Sequence, residues 1–434
     1  MRRLGAGLIA GLWGLAGAAA AQEIPYTPSD LPPPGEAVCA GGICQVEALE
    51  PVFAALAAVE APFGSGGDTA AGRRILQVHI LQIGDSHTAG DRITGKVRAV
   101  LQARFGDAGR GVLPPGPPYD GFAPYQVEMT AVGWRPVLAP LAGPAGYSTP
   151  GVGLTGVQAI ILEPGAELRL RPETRDWDFH DISVCGEGEG RLRVEVDEEV
   201  WPERVFNEHG EERSCVGMLA NGPPGEIVLQ PLDATLKLHD VRLVSFGARG
   251  VTLSSLGVVG ATLRDLAARD EAVTALQLAA WRPELIILAF GTNEGFEDGL
   301  DPAAYETLLR NQIARLRRQA PGASLMILGA PDALRNGVTD GCSADGLRAP
   351  PPTLALVRDV QRRVAADLGV AFWDWHGRMG GDCSADRLAL AAEPLMRGDR
   401  VHFTSAGADW IGGVLADDLL GAYEAWKVGQ GGAE

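Results

Sequence analysis

The chain has 434 residues and carries 55 acidic against 37 basic side chains, a formal net charge of −18 at pH 7. So acidic a chain is not drawn to nucleic acid or to an anionic bilayer surface, and neither is expected as a partner. The length calls for two or more domains, and an apolar content of 46% is ample for sizeable cores.

Met1-Arg2-Arg3 precedes an apolar run from Leu4 to Ala21 that ends Ala19-Ala20-Ala21. A charged start, a short apolar core and small residues at the end read as a leader, with cleavage expected after Ala21. An uncleaved anchor is the alternative. Loss of Arg2 and Arg3 would take the charge from −18 to −20. No later run has the apolar length of a membrane span, so a periplasmic or secreted protein is expected.

The cysteines, Cys39, Cys44, Cys185, Cys215, Cys342 and Cys383, form an even set without Cys-x-x-Cys spacing. In an oxidising compartment this favours disulfides over metal. Sequence leaves the connectivity open, and nearest-neighbour pairing is the expectation.

Residues 22–44 are Pro-rich and read as an irregular arm. Glu47 to Ala61 has apolar residues at helical spacing, and Gly64 to Gly72 is a loop. Ile75 to Ile83 is a buried strand, followed by a helix from Arg92 to Phe105 and a Gly/Pro-rich stretch from Gly106 to Gly121. The texture then changes. Gln126–Val132, Ala166–Leu170, Ile182–Val184, Arg191–Val196, Glu226–Leu229 and Thr235–Val244 are short segments between turn residues, several alternating with period two. They indicate an all-β sandwich or barrel.

From about Gly250 strands and helices alternate. Leu253–Val259, Leu285–Phe290, Leu325–Gly329 and Val370–Trp373 read as strands. Leu263–Leu278, Pro302–Arg318, Thr353–Leu368 and Ser405–Trp426 read as helices. This predicts a parallel sheet covered on both faces, with its site at the carboxyl ends of the strands. Ser86 and Gly260 are separated by 174 residues, whereas one crossover needs only ~30. Such a length does not stay structureless, so residues 108–248 are expected to fold as their own unit.

At the predicted strand ends stand Gly84-Asp-Ser86, Gly260 and Gly291-Thr-Asn293, and near the C-terminus Asp399-Arg-Val-His402. A serine nucleophile needs a base, the base an orienter, and the oxyanion fixed donors. Each piece alone has an ordinary reading: Gly-Asp-Ser as turn chemistry, Gly260 as close packing, Asn293 as a cap, Asp399 as surface charge. The ordered set is what carries the catalytic reading. Of the seven histidines only His402 has an aspartate three residues before it. His87 points elsewhere on a helical turn and is not assigned as the base, and His79 reads as a strand residue. His180, His209 and His239 lack ligand spacing. Trp134, Tyr147, Trp177 and Trp201 offer a sugar-stacking face, although tryptophans in sandwiches are more often core. Trp373 and Trp375 straddle a strand end; packing is the expectation, with the active-site floor as the alternative for Trp375.

The four blocks Gly84-Asp85-Ser86, Gly257-Val-Val-Gly260-Ala261, Gly291-Thr-Asn293 and Asp399-Arg-Val-His402 resemble those of the SGNH or GDSL hydrolases. The wider stretch Ile80 to Asp91, with Arg104 to Gly111, is similar to the periplasmic peptidoglycan O-acetylesterases. The resemblance implies a flavodoxin-like three-layer α/β/α sandwich with an inserted all-β, carbohydrate-binding-like jelly-roll module. Ser86 would be the nucleophile, His402 the base and Asp399 its orienter. Ser86 N–H, Gly260 N–H and the Asn293 amide would form the oxyanion hole. The family's usual Asp after the Asn is Glu294 here, expected to support the loop.

The expected organisation is a leader (1–21), an arm with a short helix (22–70), a first hydrolase part (71–107), the β module (108–248) and a second hydrolase part (249–434). No cofactor or metal is implied. The expected reaction is removal of O-acetyl groups from a cell-envelope glycan, foremost peptidoglycan muramic acid. An O-acyltransferase using the same residues, or a glycan-binding protein with an idle site, are the alternatives. Activity that requires neutral His402 should fall below pH ~6–7.

Overall fold

Short runs rich in Ile, Leu and Val build strands buried on both faces, the pattern of a parallel sheet. The computed structural model describes residues 31–61, 77–138, 147–163, 165–173, 181–207, 212–220, 224–245 and 247–431. The expected leader, the Gly64–Gly72 loop, Trp177, His180 and His209 lie outside the described residues. The chain divides into Met1–Pro33 and Pro34–Glu434, and the elements below belong to the second unit.

The central sheet comprises β1 (Ile43–Cys44), β2 (Gln77–Gly84), β3 (Gly250–Gly257), β4 (Leu285–Ala289), β5 (Ser324–Leu328) and β6 (Ala371–Trp373). Its spatial order is β1-β6-β5-β4-β2-β3. Strands β2 to β6 are parallel, while β1 adds antiparallel to β6 with Ile43 opposite Trp373. The chain thus goes from β2 to one neighbour, β3, and returns on the other side as β4. This is the flavodoxin-like order, with its switch point between β2 and β4. The arm read as irregular therefore contributes an edge strand. Two residues after a Gly-Gly pair show no period, so only the partner strand reveals it.

The helices are α1 (Glu50–Glu60), α2 (Ser86–Ala89), α3 (Arg92–Phe105), α4 (Leu263–Ala267), α5 (Glu271–Trp281) and α6 (Thr292–Gly295). They continue with α7 (Pro302–Gln319), α8 (Pro352–Leu368), α9 (Trp375–Met379), α10 (Ser384–Ala389) and α11 (Ser405–Gly431). Leu81, Ile83, Ile286 and Leu288 face one core cluster with residues of α4, α5, α7 and α8. Alternate residues of the strands point the other way, where α1, α3 and α11 pack together. The expected single helix over Leu263–Leu278 is instead two. Asp270 ends the run by accepting from the Ala272 and Val273 N–H groups at 3.0 and 3.1 Å, capping α5.

Two further sheets are antiparallel. One orders Glu199–Val200, Gly190–Val196, Ile227–Pro231, Glu167–Pro172 and Val127–Val132. The other orders Arg213–Leu219, Asp181–Glu187, Lys237–Val244, Val157–Ile161 and Trp134–Leu138. Their inward residues share a core, Leu168, Val194 and Leu229 from one sheet and Val184, Leu238 and Val241 from the other. Trp134 and Trp201, both partly buried, pack against this core, and Tyr147 donates to Asp265 at 2.5 Å. A bulge between Leu238 and Asp240 turns Asp240 out of the sandwich core, where it accepts from Gln277 of α5 at 2.8 Å. All three disulfides join nearest neighbours: Cys39–Cys44, Cys185–Cys215 and Cys342–Cys383.

Candidate active site

Strand β2 ends at Gly84, where a Cβ would come within 2.6 Å of the Ala289 carbonyl of β4. Glycine is thus required for the two central strands to close at the switch point. Asp85 follows as the cap of α2, accepting the His87 N–H at 3.0 Å. That sharp turn sets Ser86 in the first turn of the helix, and Gln82 anchors α2 from below by donating to Thr88 Oγ1 at 3.0 Å. Behind it, the buried Asp91 carboxylate gathers Arg98 (2.8 Å), Arg110 (2.5 Å) and the Tyr125 N–H (2.9 Å). Burial opposes its charge, but Arg110 and Arg98 hold its pKa below the usual carboxylate range. This network explains the Asp91 and Arg110 of the first motif: it joins α3 to the segment leading into the antiparallel sheets.

Ser86 Oγ lies 3.0 Å from His402 Nε2, and His402 Nδ1 lies 2.8 Å from Asp399 Oδ2. The other oxygen, Asp399 Oδ1, accepts the N–H groups of Val401 and His402 at 2.9 and 3.0 Å. Arg400 turns the chain with φ +59° so that both N–H groups meet one carboxylate. That conformation is costly for a side-chain-bearing residue. It is held by Arg400 Nε on Asp386 at 2.9 Å and by the Leu334 N–H on the Arg400 carbonyl at 3.0 Å. Partial burial pushes the Asp399 pKa up, but the His402 N–H and side chain and the Val401 N–H bring it below the ordinary value.

The loop after β3 is tied to β2 by the Val258 N–H on the Gly84 carbonyl at 3.0 Å, and Gly260 turns it with φ +78°. Asn293, in α6 after β4, donates through Nδ2 to the Ala261 carbonyl at 2.8 Å. A primary amide carries a second hydrogen, which this bond leaves over. Glu294 is 3% exposed and accepts the Leu263 N–H at the start of α4 at 2.7 Å. Burial raises its pKa to about 7. It fastens the third block to the second.

A cleft of about 580 Å³ opens over the serine, lined among others by Ser86, Arg92, Tyr119, Val259, Arg397 and His402. Tyr119 comes from the Gly/Pro-rich stretch, where nothing local marks it, and Arg92 and Arg397 likewise escape sequence reasoning. His87 was legible only as a neighbour; it is buried behind His402. Trp375 is buried edge-on to the His87 ring, 5.4 Å away, and stacks on Phe403. Among the described residues, Asp332, His376 and Asp382 bring potential ligand atoms within 4.8 Å of one another. Arg358 lies 3.5 Å from Asp382 and already supplies positive charge to that group.

A serine, histidine and aspartate in relay at the carboxyl edge of a flavodoxin-like sheet define the class of serine hydrolases. The model of the GDSL-like lipase/acylhydrolase family matches residues 235–410. A solved structure described as a peptidoglycan O-acetylesterase in action is similar at 25% identity and a TM-score of 0.72, over 88% of this chain and 99% of that one. A family two carbohydrate esterase from Clostridium thermocellum, in complex with cellohexaose, is similar at 13% identity and a TM-score of 0.28, over 63% of this chain and 97% of that one. A comparison with curated proteins finds no match.

Proposed function

We propose that the protein is a carboxylic ester hydrolase that removes O-acetyl groups from a cell-envelope glycan, peptidoglycan muramic acid foremost. The observation that carries this reading is the unbroken line Asp399–His402–Ser86, at 2.8 and 3.0 Å, opening onto a cleft. The likeness over nearly the whole length of a peptidoglycan O-acetylesterase supports the substrate.

In this reading His402 Nε2 takes the proton of Ser86 Oγ as the oxygen attacks the acetyl carbonyl. Asp399 holds the ring so that Nδ1–H faces its carboxylate. The oxyanion is received by the Ser86 and Gly260 N–H groups and by the remaining Asn293 amide hydrogen. Collapse breaks the ester bond, and His402 returns the proton to the departing sugar oxygen. Water then adds to the acetyl-serine, with the same histidine as base, and releases acetate and free Ser86. The two antiparallel sheets within 108–248, with a core of their own, act as an inserted module. Three disulfides and the absence, among the described residues, of any helix long and apolar enough to cross a membrane fit a periplasmic or secreted site of action.

The test is acetate release from O-acetylated peptidoglycan and from acetylated xylan, with wild type and Ser86→Ala. Release from peptidoglycan, reduced roughly 10⁴-fold or more in the variant, is expected. Release from xylan alone would overturn the substrate. Release equal in both proteins would overturn Ser86 as the nucleophile.

A further inference from the structure

His87 is 7% exposed, and both of its ring nitrogens face oxygen. Nε2 lies 3.0 Å from the Val401 carbonyl, and Nδ1 lies 3.2 Å from Asp85 Oδ1. A neutral imidazole has one N–H. The carbonyl can only accept, so Nε2 must carry a hydrogen. Nδ1 would then turn a lone pair toward the carboxylate unless it too is protonated. Asp85 Oδ1 also accepts the His87 backbone N–H at 3.0 Å. Opposite a carboxylate, the pair is complementary only when the ring carries both protons.

We propose that His87 is an imidazolium bridging Asp85 to the Val401 carbonyl, and that it is a positioning residue for His402. The proposal rests on His402 being the base, as argued above. Its first effect is mechanical: the bridge spans 314 positions and fixes the peptide next to His402 against the cap of the nucleophile helix. Its second effect is electrostatic. The His87 and His402 rings are stacked, with centroids 5.6 Å apart and planes 30° apart. A positive charge there opposes a proton on His402.

The other groups around the ring fit a cation. Asp85 comes from its own helix, Val401 and Asp399 from the last block, and Trp375 of α9 and Phe403 present aromatic rings at 5.4 and 5.8 Å. Burial works against the charge, but Asp85, the Val401 carbonyl and Asp399 outweigh it and raise the His87 pKa. With both nitrogens turned to Asp85 and Val401, His87 has none left to serve Ser86.

Two measurements test this. The first is the side-chain nitrogen resonances of histidines in the labelled wild-type protein at pH 7.5, where both His87 nitrogens should carry hydrogen. The second is the pH dependence of kcat/KM on p-nitrophenyl acetate for wild type and His87→Gln. Removing the charge should move the acid limb upward by roughly 0.5–1 pH unit, the scale of a unit charge at this separation in a polar medium. A neutral His87 ring at pH 7.5 would overturn the proposal. So would a His87→Gln rate lowered by the same factor at every pH, which is what a purely structural loss produces. If the variant does not fold, the resonances decide alone. Ser86→Ala on the same ester tests the hydrolase reading separately from His87.

Discussion

Asp399 has a side chain 46% exposed, and His402 one of 39%. In a buried triad, an amide in place of the carboxylate leaves the histidine in the wrong tautomer and costs about 10⁴-fold. Solvent screens the pair here, so orientation of the ring is the larger part of what Asp399 supplies. Asp399→Asn keeps an acceptor for the Val401 and His402 N–H groups but offers the wrong partner to Nδ1. It should lower kcat by about 10⁴-fold, less than Ser86→Ala, as steady-state ester hydrolysis will measure. A loss as large as that of Ser86→Ala would mean the carboxylate does more than orient. At this scale Ser86, Asn293, Asp399 and His402 were legible, because their residue types and order carry chemistry. His87 was not, because its role lies in what its two nitrogens meet.

At the scale of elements, the Asp399–His402 loop is braced from a distance. Cys383 precedes α10 and is bonded to Cys342. Asp386 of α10 holds Arg400 with one oxygen and the Ala344 N–H with the other, at 2.9 and 2.8 Å. The disulfide therefore joins both walls of the support under His402. Replacing Cys342 and Cys383 by alanine should lower kcat/KM several-fold. Amide exchange in Asp181–Glu187 and Lys237–Val244 should stay as slow as in wild type. Unchanged turnover would show that α10 holds the loop without the bond.

Element boundaries were mostly readable from periodicity: Arg92–Phe105 is a helix over the range expected. The strands Trp134–Leu138, Val157–Ile161, Arg204–Phe206 and Arg213–Leu219 were not read. Pro136 and Gly217 interrupt two of them. Their stability comes from neighbours in the sheet, a tertiary contribution that outweighs local preference.

The whole molecule holds buried charges of both signs, and their burial couples folding to pH. Glu294 is pushed to about 7 from 4.5, and Asp240 to about 7 from 3.8, by burial. Such groups bind a proton more tightly folded than unfolded. Their contribution is present below the unfolded value and is lost as pH rises through the folded one. His79 works the other way: burial lowers it to about 3 from 6.5, and its contribution is lost as pH falls below the unfolded value. Glu294→Gln removes one of these opposing groups while leaving an oxygen for the Leu263 N–H. The variant should match wild type near pH 4.5 and exceed it by roughly 1–3 kcal/mol at pH 8. Chemical denaturation at the two pH values checks this. An equal difference at both would show that Glu294 does not titrate with folding.

Local order in the chain was enough to determine the alternation of strand and helix, the β-rich stretch between two α/β parts, the even cysteine set and four blocks of reactive residues. Periodicity and residue chemistry are properties of neighbours in sequence, so they survive in a string of letters. Tertiary structure alone decided that β2 and β4 lie side by side, so that Ser86 and Asn293 leave adjacent strands. It also decided that Ile43–Cys44 closes the sheet edge and that His87 bonds the carbonyl of Val401. These are contacts between residues hundreds of positions apart, set by packing of faces and by the need of buried polar groups for partners.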